Sequence, residues 1–419
     1  MASAFSSDLQ SFVDQEWAKI DQAETVLPFS AEEYAQRHAR LRVAMAQAGI
    51  DVLILMSPEA MAWLHGYASR VYEYNASGHF PVMHATIVHA EHDRMFMTDS
   101  AFHESLVRQT SCINDFRSVP ETGLSDAGQQ DEFNRFLIGQ LRDEGWLGDV
   151  VGFELHCGVP SPAVAATITT ALQQAGCQVV DASDVIRDVR RLKSSAEIAC
   201  IERAAGACDA GLRALQAGAY AGMTELQAWS IYMSGVTAAG GEPSAIHETV
   251  AVGPPAARLH TLSSRRPIQR GEYFHPDMSA AFEHYHARST RPFCIGTPPA
   301  EIVRLTAIVA GAYDVVVDTA KIGMPFGELN RTLKEYFRGE GVGDSESFTG
   351  GYELGLSFPP NFVGEFVWGE DMLDERPIEA GFATNFESIA FVTIIDTLVF
   401  DDSGARFLSQ MPRQVIVVD

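Results

Sequence analysis

The stretch RDVRRLKSSAEI, residues 187–198, decides how the chain is read on either side of it. Three arginines and a lysine crowd its first half. Ser194 then stands three residues before Glu197, the spacing of a capping box at a helix start. Beyond it Ile198, Ile201, Ala205, Cys208, Leu212 and Leu215 recur at steps of three and four, one face of a long amphipathic helix. A short basic joint followed by a capped helix predicts a domain boundary, with one domain over residues 1–185 and another over 186–419.

On the N-terminal side, residues 1–30 read as a polar helical lead-in. Ser30 can cap a helix whose first turn carries Glu32 and Glu33, favourable at the positive end of the helix dipole. Leu41, Val43, Ala44 and Met45 supply its apolar face, and Gly49 ends it. A buried strand follows at 52–56, with further strands at 85–89, 94–98, 149–153 and 178–181 and helices between them. That alternation predicts an α/β domain.

The C-terminal side contains an echo. The long helix leads to AGMTELQAWSIYM (221–233), and a second helix from about Glu301 leads to IGMPFGELNRTLKEYF (322–337). Each unit is a long helix, a Gly-Met turn and a short helix with Glu-Leu. Either two helical hairpins resemble each other by chance, or the domain is a duplicated α+β unit with a site between its halves.

Composition bounds the function. The chain has 419 residues, 46% of them hydrophobic, enough for two packed cores. A net charge of −25 repels nucleic acid and anionic lipid, so neither is an expected partner. The six cysteines are scattered without a CxxC pair, against a zinc cluster or disulfide framework. No signal peptide pattern opens the chain, and no apolar run approaches the roughly 18 residues that span a bilayer. A cytoplasmic enzyme acting on a small molecule is the expectation.

Polar chemistry is densest in RLHTLSSRRPIQRGEYFHPDMSAAFEHYHARSTRPFCIG, residues 258–296. Residues 272–279 and 283–294 read as the two strands of a hairpin. Strand alternation would put His284 and His286 on one face and Tyr285 on the other. Such a His-x-His pair either binds a metal or lines an ordinary polar face. Asp277 falls mid-strand among apolar neighbours, where a carboxylate is costly unless paired. His260 precedes the hairpin in a loop after Pro254 and Pro255, suited to reach into a cleft. Downstream, TGGYELGLSFPPNFVGEFVWGE (349–370) is Gly-rich and aromatic and carries Tyr352 and Glu365. It lacks a basic residue, so a phosphate cradle is a poor reading. Its glycines let backbone approach a ligand or a neighbouring strand. Glu387 lies between Phe386 and Ile389 on a predicted strand, as an active-site acid or half of an ion pair.

Together these segments resemble the creatinase, or pita-bread (peptidase M24-like), family, over nearly the whole chain from about residue 30. The resemblance implies an α+β fold, with a C-terminal pita-bread domain behind an N-terminal α/β creatinase-like domain. Metallopeptidases of that family hold two metals with two Asp, one His and two Glu. Here Asp277 matches the first Asp and Glu387 the first Glu. Arg288 takes the place of the second Asp, Tyr352 of the His and Ile395 of the last Glu. The resemblance is strongest to the metal-free branch with creatinase and ectoine hydrolase. His260 matches creatinase's catalytic histidine in its distance from the Gly-acidic turn at Glu272. GYELGLSFPPNFVGE and HYHARSTR look like ectoine hydrolase, although that enzyme carries the longer Glu where this chain has Asp277.

What the resemblance implies is metal-independent hydrolysis of a C–N bond in a small amidine, guanidino or cyclic imino compound, with no cofactor. His260 would shuttle the proton, Asp277 would attack or position water, and Glu387 would hold the cationic substrate. Tyr285, His286, Tyr352 and Glu365 would complete the pocket. In a homodimer, Arg70 and Tyr72 of GYASRVYEYN would cap the partner's site. The alternatives are a metal-dependent Xaa-Pro-type aminopeptidase, a sulfonium-compound lyase on the same fold, and a non-catalytic binding protein.

Overall fold

The computed structural model describes residues 6–68, 82–120, 126–148, 150–246, 249–254 and 260–418. Two compact units divide the chain, Met1–Arg190 and Arg191–Asp419. The division expected after residue 185 falls inside the helix Ser183–Arg191, whose Ile186 packs with Leu41, Met45 and Trp63 in the first unit.

The first unit is a six-stranded mixed sheet of β1 (Val52–Leu55), β2 (Ala85–His89), β3 (Met95–Ser100), β4 (Phe116–Val119), β5 (Val150–Phe153) and β6 (Gln178–Asp181). Its order is β4-β3-β2-β1-β5-β6. All four residues of β1 are buried, because helices cover both faces. Val52 and Ile54 point into a core with Phe133, Leu137 and Ile168. Leu53 and Leu55 point into the opposite core with Leu41 and Trp63. Each such side chain contributes roughly 1.5–3 kcal/mol by leaving water. The Ser30 cap forms as expected, its side chain accepting from the Glu33 N–H, and Gly49 leaves the helix with φ 67°.

The second unit places four helices against two sheets. The helix Ser195–Gly218 starts with the complete capping box of Ser194 and Glu197. One sheet orders β7 (Thr249–Val252), β8 (Tyr273–Asp277), β11 (Phe293–Ile295) and β17 (Ile416–Val418) as β17-β11-β8-β7. The other contains β9 (Ser279–Phe282), β10 (Tyr285–Thr290), β12 (Phe348–Tyr352), β13 (Val367–Trp368), β14 (Ala383–Ala390) and β15 (Val392–Asp401) in the order β13-β12-β14-β15-β10-β9, with β16 (Gly404–Phe407) on β15.

Backbone hydrogen bonds resolve the echo in favour of duplication. Gly222 N–H donates to Ile268 O, and Ile268 N–H returns to Met223 O; Gly323, Ile378 and Met324 repeat the same exchange. Glu225 N–H donates to Arg266 O as Phe326 N–H does to Arg376 O. Both glycines sit at positive φ, 91° and 85°, which a turn of this kind requires. Two chance hairpins would have no reason to share this pattern.

The hairpin expected over 272–294 is present but broken twice. Its first arm passes from one sheet to the other at Met278, and its second at Arg291 and Pro292, where proline has no N–H to donate. Asp277 therefore ends β8 at a corner between sheets instead of lying mid-strand. The turn itself is two residues, Glu283 and His284, both at positive φ (49° and 63°). His284 is consequently off the strand, and the His284/His286 face expected from alternation does not form.

The glycines of the 349–370 segment serve packing between strands. A Cβ on Gly351 would overlap the Asn385 carbonyl oxygen, and one on Gly350 the Trp368 carbonyl. Of the two readings open from sequence, close approach of neighbouring backbone is the one that holds there.

Candidate functional site

Three strands and one corner of the second unit converge on Arg288. Glu387 lies on β14, directly opposite Ile395 on β15. Ile395 offers no polar atom. From β10, on the far side of β15, the Arg288 guanidinium reaches across it, and Nη1 donates to Glu387 Oε1 at 2.6 Å. Nη1 also donates to the Tyr352 hydroxyl, and Nη2 to Asp277 Oδ1. One planar cation thus bridges two carboxylates and a phenol, a use for which the guanidinium fork is suited.

The surroundings fix this arrangement. Asn385, two residues before Glu387 on the same strand face, accepts from Tyr352 N–H at 2.7 Å and donates to Glu387 Oε1 at 2.8 Å. The Arg288 N–H is held by Thr397 Oγ1 at 2.8 Å. Phe362 completes a wall, its ring 6.0 Å from the guanidinium and 6.3 Å from the Tyr352 ring. Burial pushes the Glu387 carboxyl up, and the neighbouring Arg288 pulls it back. Burial likewise raises the Tyr352 phenol, so it stays protonated at neutral pH.

Exposure separates the three charges. The Arg288 side chain is 8% exposed, Glu387 17% and Asp277 34%. Asp277 is the accessible carboxylate, and among the described residues its Oδ2 accepts no hydrogen bond. Both donors to Glu387 land on Oε1.

His260 is exposed, at φ 57°. The carbonyl of the next residue, Thr261, accepts from the Thr249 hydroxyl, and Thr249 pairs with Asp277 across the β7–β8 ladder. The histidine segment is thereby tied one strand away from the accessible carboxylate.

Other expected residues lie elsewhere. Tyr285 is on the opposite face of β10, its hydroxyl donating to Glu197 Oε1 on the helix Ser195–Gly218 at 2.8 Å. That position corrects its expected place in the pocket, since strand alternation turns it away from Arg288. His286 shares the Arg288 face, but both ring nitrogens are engaged: Nε2 accepts from Ala245 N–H and Nδ1 donates to His284 O, each at 2.9 Å. Stacked on Phe362 and buried, it is held neutral with its pKa pushed down to about 4, and it supports the wall instead of meeting a ligand. Glu365 is exposed in the segment that also carries Phe362. Arg70 and Tyr72 lie outside the described residues. Sequence reasoning passed over Arg288 as a participant, and over Asn385 and Phe362. The available signal was an arginine standing where an acid would otherwise complete a cluster.

The family name below implies a metal, and the residues here do not fit one. Among the described residues no group of three or more His, Cys, Asp or Glu side chains could hold a metal ion. The facing oxygens of Asp277 and Glu387 are already taken by Arg288. No helix among the described residues is long and apolar enough to cross a membrane.

Comparison with known proteins places this geometry. The chain is 26% identical to ectoine hydrolase of Halomonas elongata over 413 residues, covering 93% of this chain and 98% of that one. It is 27% identical to the Xaa-Pro dipeptidase of Pyrococcus furiosus over 240 residues, 56% of this chain and 67% of that one. Among solved structures, a dipeptidase of Pyrococcus horikoshii superposes with a TM-score of 0.74 at 19% identity, covering 91% of this chain and all of that one. The X-Pro aminopeptidase of Thermotoga maritima gives 0.73 at 20%, with 91% and 99% covered. At these identities the structural likeness speaks for the fold alone. Metallopeptidase family M24 matches residues 199–407, and the creatinase/prolidase N-terminal domain matches residues 37–192. The chain is therefore a hydrolase belonging to family M24, with a creatinase-type N-terminal domain and a C-terminal pita-bread domain.

Proposed function

We propose that this hydrolase cleaves a non-peptide C–N bond in a small amidine-type compound without a metal, with a cyclic amidine such as ectoine as the first substrate to test. The observation that carries the reading is the pairing of an accessible carboxylate, Asp277, with the His260 segment anchored to Thr249, Asp277's ladder partner. A water oxygen, or the Asp277 carboxylate acting first, forms the new bond to the amidine carbon. His260 delivers a proton to the departing nitrogen as the C–N bond breaks. Overall one water is consumed, giving an amide and an amine. Glu387, through Oε2, and the Tyr352 and Phe362 rings would receive the substrate's positive charge. The near full-length similarity to ectoine hydrolase supports the substrate class.

The test is product detection by mass spectrometry with chelator-treated protein and ectoine, hydroxyectoine, creatine or a proline dipeptide. Ring opening or urea release without added metal is expected. Dipeptide cleavage that returns only with metal overturns the reading in favour of an Xaa-Pro dipeptidase.

A further inference from the structure

We propose that Arg288 is the built-in cation of this site, a specificity-determining residue that excludes divalent metal and leaves a single net negative charge to receive a monocation. The proposal deepens the metal-free part of the reading above. Its basis is geometric. Arg288 donates to one oxygen of Asp277, one of Glu387 and the Tyr352 hydroxyl, all from one guanidinium. Any dication between those carboxylates would need the same oxygens and would meet a fixed positive charge there. That charge cannot be shed, because a guanidinium keeps its proton at any physiological pH. The side chain is also locked from behind, its N–H and C=O both bonded to the Thr397 hydroxyl.

The charge balance follows from one cation against two carboxylates. A neutral substrate gains little from a net negative pocket, and a dication exceeds it. An amidinium or guanidinium matches it and can lie against the Phe362 and Tyr352 rings, which already flank Arg288 at 6.0 Å and 5.7 Å.

Removing the cation should therefore open a metal site. Arg288→Asp places a third carboxylate beside Asp277 and Glu387, a hard oxygen set suited to Mn2+ or Mg2+. The probe is Mn2+ alone, titrated into the full-length protein while the free ion is followed by electron paramagnetic resonance. The parent and Arg288→Lys, which retains a positive charge, are expected to bind no Mn2+ at this site. Arg288→Asp is expected to bind about one ion per chain, on the order of 100-fold more tightly than the parent. Tight stoichiometric Mn2+ in the parent overturns the proposal. So does a folded Arg288→Asp protein that binds no better than the parent. Should that variant not fold, Arg288→Met keeps the length without the charge and must still bind Mn2+ more tightly than the parent. Turnover plays no part in this readout, so a failure with ectoine would sink the substrate reading and leave this one standing.

Discussion

Thr249 and Asp277 stand opposite each other across the β7–β8 ladder, and the Thr249 hydroxyl holds the carbonyl of Thr261, the residue after His260. Two polar groups far apart in the hairpin reading are thus neighbours by register. If His260 moves the proton, its removal should cost turnover and little else, because the side chain is exposed. At φ 57° an alanine would add backbone strain, whereas asparagine tolerates that conformation. His260→Asn is expected to lower kcat by about 100- to 10,000-fold with an unchanged melting temperature. Turnover within a few-fold of the parent would remove His260 from the mechanism.

The two-residue turn at Glu283 and His284 is an unrelieved local conflict. Both residues adopt left-handed backbone, which hairpins of this length usually give to Asn and Gly. The turn persists because Glu242 accepts from both backbone N–H groups, each at 3.0 Å. Its carboxylate also faces that of Glu283, a like-charge contact. Glu283→Asn keeps the two N–H donors and removes strain and repulsion together. We expect a gain of about 1 kcal/mol in urea unfolding of the second unit; a loss would show that Glu283 makes a compensating contact.

Buried His65 sets an acid limit on the first unit. Its ring nitrogens meet the hydroxyls of Ser111 and Thr86 at 2.8 Å and 2.7 Å, and burial pushes its pKa down to about 3. Unfolded, it titrates near 6.5, so below that pH the unfolded chain takes up a proton that the folded one refuses. The neutral ring's stability is intact above pH 6.5 and drains as pH falls toward 3, by about 3 kcal/mol at pH 4.5. Replacing it with glutamine, which can serve both hydroxyls, should flatten the parent-minus-variant difference in unfolding free energy between pH 6.5 and 4.5. Parallel pH curves for the two proteins would contradict this.

Much of this was legible from residues alone. Ser30, Ser194 and the two Gly-Met turns announce themselves because caps and left-handed turns are local, each needing a particular residue at one position. Asp277 and Glu387 stood out because a carboxylate among apolar strand residues must be paired. What the sequence hides is which residue pairs them. Arg288 reaches Glu387 across β15, and no periodicity encodes a contact between strands 99 positions apart. The misreading of His284 has a similar cause: alternation predicts faces only while the strand continues, and here a turn without Gly or Asn interrupts it.

Glu225 is the least conspicuous residue with a role in positioning His260. Fully buried at the start of the helix Glu225–Ala238, it accepts from Val252 N–H and Ser264 N–H at 3.0 Å each, and from the Ser264 hydroxyl at 2.6 Å. These partners flank the segment that carries His260, so one carboxylate ties both of its ends. Glutamine has a single acceptor oxygen and would face one of the two N–H groups with a second donor. Leaving a buried donor unmet costs about 1–3 kcal/mol, here spent locally at the loop. Glu225→Gln is therefore expected to speed amide exchange at Val252 and Ser264 and to lower kcat more than it raises KM, while exchange in β14 and β15 stays at the parent's rate. A merely structural role predicts the reverse: exchange faster throughout the second unit, with kcat per folded molecule unchanged.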